Sequence, residues 1–216
     1  MTFTNFAFDL LLNLPALLSV FVINGYIMAY TATKLGDPTP RIKGRLSLSP
    51  KAHIDFIGFL FLLATGFGWG PCMDINPRYF KNPRRDSVIT VLAGSLGNFV
   101  LAFFACLLRR ILLGFPLNVF WDPLLEILRL IMLSNILLGL FFLLPIPPLN
   151  GFLILEKLLP VKYFRLIQFL QNYGFIVLIF LMLSRISCII INPFFQVITI
   201  FIQGTVNFLF NVFKAS

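Results

Sequence analysis

An all-α, multi-pass membrane fold is the class this sequence predicts, on three observations. The chain is 59% hydrophobic and only 12% charged, with a mean hydropathy of +0.94, too apolar for an ordinary soluble fold to cover. Its charges leave five uncharged runs, 10–33, 87–108, 130–155, 166–184 and 186–213, each reaching the ~20 residues that a tilted spanning helix needs. The basic residues then fall mostly beside one set of span ends, as they do on the cytoplasmic side of a membrane.

The elements follow in order. Phe6 to Thr33 reads as a helix interrupted only by Pro15. It has no basic stretch before its apolar run, so it is expected to be a retained span and not a cleaved signal peptide. Asn24 stands ten residues before Lys34, roughly 15 Å of helical rise, and so lies well inside the bilayer. LGDPTP ends this helix through turn chemistry. In RIKGRLSLSP, Leu46, Ser47, Leu48 and Ser49 alternate as a short strand would, which predicts an edge strand at the membrane face. The run 56–73 loses its helical character after about ten residues, at GFGWGPCM, and reads as a re-entrant segment. NPRYFKNPRRD, with two Asn-Pro turns, leads into the span from Ser87, where GSLGN permits close helix approach. The next span runs into LLPIPPLNG, whose Pro145, Pro147 and Pro148 forbid regular helix. Irregular backbone at that depth is tolerated only under protein cover or beside a wet cavity, so Asn150 is expected to be buried in protein. Residues 152–216 are Phe- and Ile-rich helix without a readable motif, and the chain is expected to be one membrane domain over 1–216.

Charge placement supports the re-entrant reading. If 56–73 dips in and returns, Lys34, Arg41, Lys43, Arg45, Lys51, Arg78, Lys81, Arg84, Arg85, Lys157, Lys162, Arg165 and Lys214 share one side, 13 of the 17 basic residues. If it spans, the split falls to 9 against 8 and the bias vanishes. The expected topology places the N-terminus outside and the C-terminus in the cytoplasm. The net charge of +9 is spread over short loops beside spans, which suits anionic lipid headgroups and not a nucleic acid. Cys72, Cys106 and Cys188 are scattered and suggest neither a disulfide framework nor a zinc cluster. Glu126 and Arg129 read as a helix-end ion pair.

Three blocks, residues 24–55, 76–86 and 143–151, together resemble the site-2 protease family of intramembrane zinc metalloproteases, with the likeness covering 10–155. LGDPTP, GRLSLSP and FKNPRRD keep close to the family pattern. In that family the first block opens with HExxH and the last ends in Asp-Gly. The resemblance implies that two histidines and the aspartate hold zinc and that the glutamate is the general base. Here the ligand positions read Asn24, Met28 and Asn150, and the general-base position reads Gly25. An amide and a thioether bind zinc poorly, and glycine has no side chain to take a proton. Ser95 and Phe142 also stand where the family commonly has proline and asparagine.

These substitutions agree with one another. Without a metal, a buried Glu and Asp would be uncompensated charges, and Gly and Asn remove that cost. Asn24 and Asn150 are expected to hydrogen-bond across the gap the metal would fill. His53, the sole histidine, reads as a structural hydrogen-bonding group; Cys72 with Asp74, or Met28 with Cys106, make only weak metal constellations. Asn98 and Asn135 are expected either as interhelical hydrogen bonds or, with Asn24 and Asn150, as polar groups lining a cleft for substrate. The function implied is that of a pseudoprotease without a cofactor, binding lipids and transmembrane helices of other membrane proteins, in a prokaryotic plasma membrane or an organelle membrane of that ancestry. The alternatives are an active zinc protease with other ligands and a non-proteolytic channel or transporter.

Overall fold

Helix α1 (Phe3–Lys34) continues through Pro15 and stops where the chain supplies a residue tolerant of the left-handed region, Gly36 at φ 113°. The Asp37 N–H closes back onto the Ala32 carbonyl at 3.0 Å, which caps the last turn. In the computed structural model every residue is described except 1–2, 66–67, 72, 116–120, 185 and 216.

Past α1 the buried Asp37 carboxylate accepts from Thr39 N at 2.9 Å and from Asn76 N at 2.8 Å. It thus ties the turn before α2 (Thr39–Ile42) to the loop before α4. No strand forms among the described residues, which corrects the expectation for RIKGRLSLSP. No neighbouring strand supplies a ladder, and side chains take the backbone groups instead. Ser47 Oγ accepts from Ser49 N, Arg45 donates to the Ala52 carbonyl, and His53 donates to the Ser47 carbonyl.

Of the stretch 56–73, expected as a re-entrant segment, the described residues form a ten-residue helix α3 (Phe56–Thr65) and, after it, backbone without regular secondary structure that comes back beside α3. A helix of that length rises about 15 Å, too little to cross a bilayer. On the return, the Trp69 carbonyl lies where a Cβ on Gly58 would be, and Gly70 sits against the His53 carbonyl.

Helices α4 (Pro83–Leu112) and α5 (Asp122–Phe141) pack on α1 to make the centre of the bundle. Beyond α5 come the proline loop, the short α6 (Gly151–Leu158), α7 (Phe164–Leu183) and α8 (Ile186–Ala215). Five helices, α1, α4, α5, α7 and α8, are long and apolar enough to cross a membrane. The Glu126–Arg129 pair closes at 2.7 Å near the start of α5.

The last two helices overturn the expected position of the C-terminus. Helix α7 begins beside Arg84 and Lys157, and its Leu178 and Met182 reach the central cluster with Val20, Phe21 and Phe142. Helix α8 starts from that same cluster at Ile191 and passes Ala102 and Leu128 at Ile202. It then meets the far end of α4, where Arg110 donates to Asn207 at 3.1 Å and stacks 4.3 Å over Phe210. The two helices therefore follow one another along the bundle and do not fold back as a hairpin. The end of α8 lies with Arg109 and Arg110, opposite the basic loops. Charge counting misplaces Lys214 because it treats every apolar run as a reversal of direction.

In a background with the native cysteines replaced, an impermeant thiol reagent is expected to label Ala215→Cys from the same membrane face as Gly114→Cys, and Lys43→Cys from the other. Labelling of 215 together with 43 would reject the placement of α8.

Candidate functional site

Helix α1 sets Asn24 and Met28 one turn apart on a single buried face. Helix α4 comes close enough to seal that face because its facing residue is Gly94. A Cβ there would stand 2.6 Å from Met28 Cγ and 3.0 Å from Asn24 Nδ2. Met28 is packed with Ala29, Met73 and Val91, its sulfur among apolar groups.

The third position comes from the proline loop. Helix α5 stops at Phe141, and the loop closes through the Gly151 N–H, which donates to the Phe142 carbonyl at 2.8 Å. A side chain at 151 would collide with the Leu143 carbonyl, so glycine is required by the closure. The loop holds Asn150, half-buried, with Nδ2 donating to Asn24 Oδ1 at 3.3 Å. The two amides meet across the gap between helix and loop.

The space beside Gly25 belongs to His53. A Cβ on Gly25 would collide with His53 Nδ1, so the ring stands where any side chain at 25 would begin. His53 Nε2 lies 2.6 Å from the Ser47 carbonyl, an acceptor only, and therefore carries the proton. Burial lowers the His53 pKa below the ordinary histidine range; the bond to Ser47 opposes this, and the nearby Arg45 charge adds to the lowering. The ring is thus neutral near pH 7, with Nδ1 an acceptor turned toward Gly25. Asn24, Gly25, Arg45, His53, Trp69 and Asn150 line a cavity of about 20 Å³, room for one water.

Asn98 and Asn135 do not line this cavity. Asn135 Nδ2 donates to Ser19 Oγ at 3.0 Å and to the Ile131 carbonyl at 2.9 Å, cross-linking α1 and α5. Asn98 is fully buried one turn beyond Gly94, and neither end of its amide has a hydrogen-bond partner among the described residues. Ser95 Oγ donates to the Gly139 carbonyl at 2.8 Å, pinning α4 to α5. Asp74 pairs with Lys43 at 2.7 Å at the surface, Cys72 lies outside the described residues, and Cys106 packs with Ala102 and Met132, far along α4 from Met28. Sequence reasoning missed Arg45 and Trp69 as cavity walls and the seating of His53 on Gly25. Nothing local pairs an empty position on one helix with a ring on a distant loop.

The donor set does not fit zinc. Two amides already bonded to each other, a thioether sealed in an apolar cluster and one imidazole offer neither the anionic ligands nor the histidine pair of a tetrahedral site. No group of three or more His, Cys, Asp or Glu suited to a metal occurs among the described residues.

Fold and site together define a class: a multi-pass helical membrane protein whose neutral polar centre lies between its first span and a proline loop. Among proteins of known name, the chain is 34% identical over 176 residues to "Putative zinc metalloprotease YwhC" of Bacillus subtilis (strain 168), covering 80% of each. It belongs to the family of that protein. No family model and no solved structure matches it.

Two outcomes are expected. Asn150→Leu leaves the Asn24 carbonyl oxygen unpaired and lowers stability by about 1–3 kcal/mol in chemical denaturation, against an unchanged Arg78→Gln control. A neutral result removes the amide bridge from the fold's support. His53 is the sole histidine, and its folded pKa lies below its unfolded value of about 6.5. Its contribution is therefore complete above that pH and declines on acidification toward the folded pKa. The thermal midpoint should drop between pH 7 and 5, and His53→Gln, which keeps the donor to Ser47, should flatten the drop.

Proposed function

We propose that this chain is a site-2-protease-like membrane protein that does not hydrolyse peptides and uses the scaffold to bind transmembrane segments of other membrane proteins. One observation carries the proposal: the positions of the ligands and the base hold groups that satisfy one another. Asn150 bonds Asn24, and the His53 ring takes the room of a side chain at 25. A general base at 25 would have to expel His53 from its bond to Ser47 before it could act.

The relative's name, a zinc metalloprotease, supports descent from a hydrolytic ancestor. What survives of such an enzyme here is the frame: a first span, a glycine-lined approach of α4 and a closed proline loop. In this proposal α3 and its return dip into the bilayer and flank the cavity through Trp69 and Gly70. A partner helix packs against the outer apolar faces of the spans, since the gap between α1 and the proline loop is closed by the Asn150–Asn24 bond and Asn98 is fully buried. The membrane is the plasma membrane of a bacterium, and no zinc is required.

Elemental analysis of detergent-purified protein by inductively coupled plasma mass spectrometry tests this. The parent is compared with a variant carrying Asn24→His, Gly25→Glu, Met28→His, Asn150→Asp and His53→Ala, the last to clear room for the glutamate. The expected outcome is a metal-free parent and about one zinc per chain in the variant. Stoichiometric zinc in the parent would sink the proposal and favour an active protease with other ligands.

A further inference from the structure

The crevice where the start of α4, the end of α6 and the start of α7 meet has no part in the polar centre. It holds about 320 Å³ and is walled by Arg84, Glu156, Lys157, Leu159, Phe164 and Ile167. Along the chain it sits at a boundary of solvents. Arg84 and Arg85 are the last basic residues before the uncharged stretch 87–108, and Arg165 is the last before 166–184. Residues at such a boundary lie at the level of lipid headgroups.

The charges in the crevice are not matched internally. Arg84 makes no ion pair or hydrogen bond among the described residues, and it also lines a shallow recess with Asn82, Pro83 and Arg85. Lys157 is held only loosely by Glu156, at 3.6 Å, with its side chain 26% exposed. Two cations against one carboxylate leave a single positive charge. That charge faces a space far larger than a water needs, roofed by apolar Leu159, Phe164 and Ile167.

We propose that this crevice binds one anionic phospholipid by its phosphate. Guanidinium and ammonium donors on two different helices match a phosphodiester's pair of unesterified oxygens, and the single net positive charge matches its single negative one. An acyl route adjoins the site. Going down α4 from Arg84 in steps of four residues leads through Val88 to Leu92 and Leu96, which are 41% and 59% exposed. A soluble anion would use the charges and leave that stripe bare. A zwitterionic lipid would cover the stripe but bring its own cation to a cationic pocket.

The test uses full-length protein, delipidated in a neutral maltoside detergent. Its thermal midpoint is measured with added dioleoyl phosphatidylglycerol, dioleoyl phosphatidylcholine or inorganic phosphate. Three proteins are compared: the parent, Arg84→Gln/Lys157→Gln, and Arg78→Gln/Lys81→Gln, which loses the same charge outside the crevice. Phosphatidylglycerol should raise the midpoint of the parent and of the outer variant alike. Less than half of that rise should remain in the crevice variant, and neither phosphatidylcholine nor phosphate should reproduce it. An equal response from the crevice variant overturns the site, an equal response to phosphatidylcholine overturns the charge selection, and an equal response to phosphate overturns the lipid. Arg84→Gln alone, at an exposed position without partners, serves if the double variant does not fold; native mass spectrometry then reads the lipid retained per chain, expected to fall by at least half against the parent.

Discussion

A backbone that leaves the helical path among packed apolar helices must find its hydrogen bonds within the protein, and the stretch from Phe142 to Asn150 is where this chain meets that demand. Each unsatisfied group there would cost several kcal/mol. The loop answers with its own turns: Ile146 N–H to the Leu144 carbonyl, Leu149 N–H to Ile146, and Gly151 N–H to Phe142. Neighbours complete the cover. Gly174 of α7 lies against the Pro147 ring, and Phe141, Phe142 and Leu149 belong to the central cluster shared by α1, α3, α7 and α8. Because the loop is closed in this way, Asn150 is presented to α1 at the level of Asn24. The polar centre follows from the solution to a backbone problem.

Apart from Arg45 in the cavity wall, that centre is uncharged. Near the middle of the membrane an ionised carboxylate needs a cation close by, or it shifts toward its neutral form. Asn24, Asn150 and a neutral His53 avoid the requirement, since each has a polar partner that carries no charge. The charge in the cavity wall, Arg45, is directed to the Ala52 carbonyl and acts on His53 only at a distance, in the sense that keeps the ring neutral. The result is a packed interior around a gap with room for one water.

The two ends of the bundle differ. At one end Asp37 gathers the loops, Lys43 pairs with Asp74, and Arg84, without an ion pair or hydrogen bond among the described residues, lines the crevice at α7. At the other, Arg110 is taken up by Asn207 and Phe210 of α8, and Arg129 by Glu126.

Much of this was legible in the residues. Uncharged runs marked the five long helices, LGDP ended α1, and three prolines broke α5 where the chain stops being helical. The meeting of Asn24 and Asn150 could be foreseen because both positions belong to one motif frame. The alternation in RIKGRLSLSP misled, since a period of two becomes a strand only when another strand lies alongside, and here Ser47 and Arg45 bond to nearby backbone groups instead. The direction of α8 was equally out of reach: an apolar run has no polarity of its own, and only contacts with α4 and α5 decide which way it points. By itself the sequence determined which segments are long and apolar enough to cross a membrane and which residue types stand at the motif positions, because those depend on side-chain type and spacing. Only the tertiary structure decided that His53 sits on Gly25, that α7 and α8 run end to end, and that Arg84 and Lys157 line one crevice, because each requires residues far apart in the chain to come together.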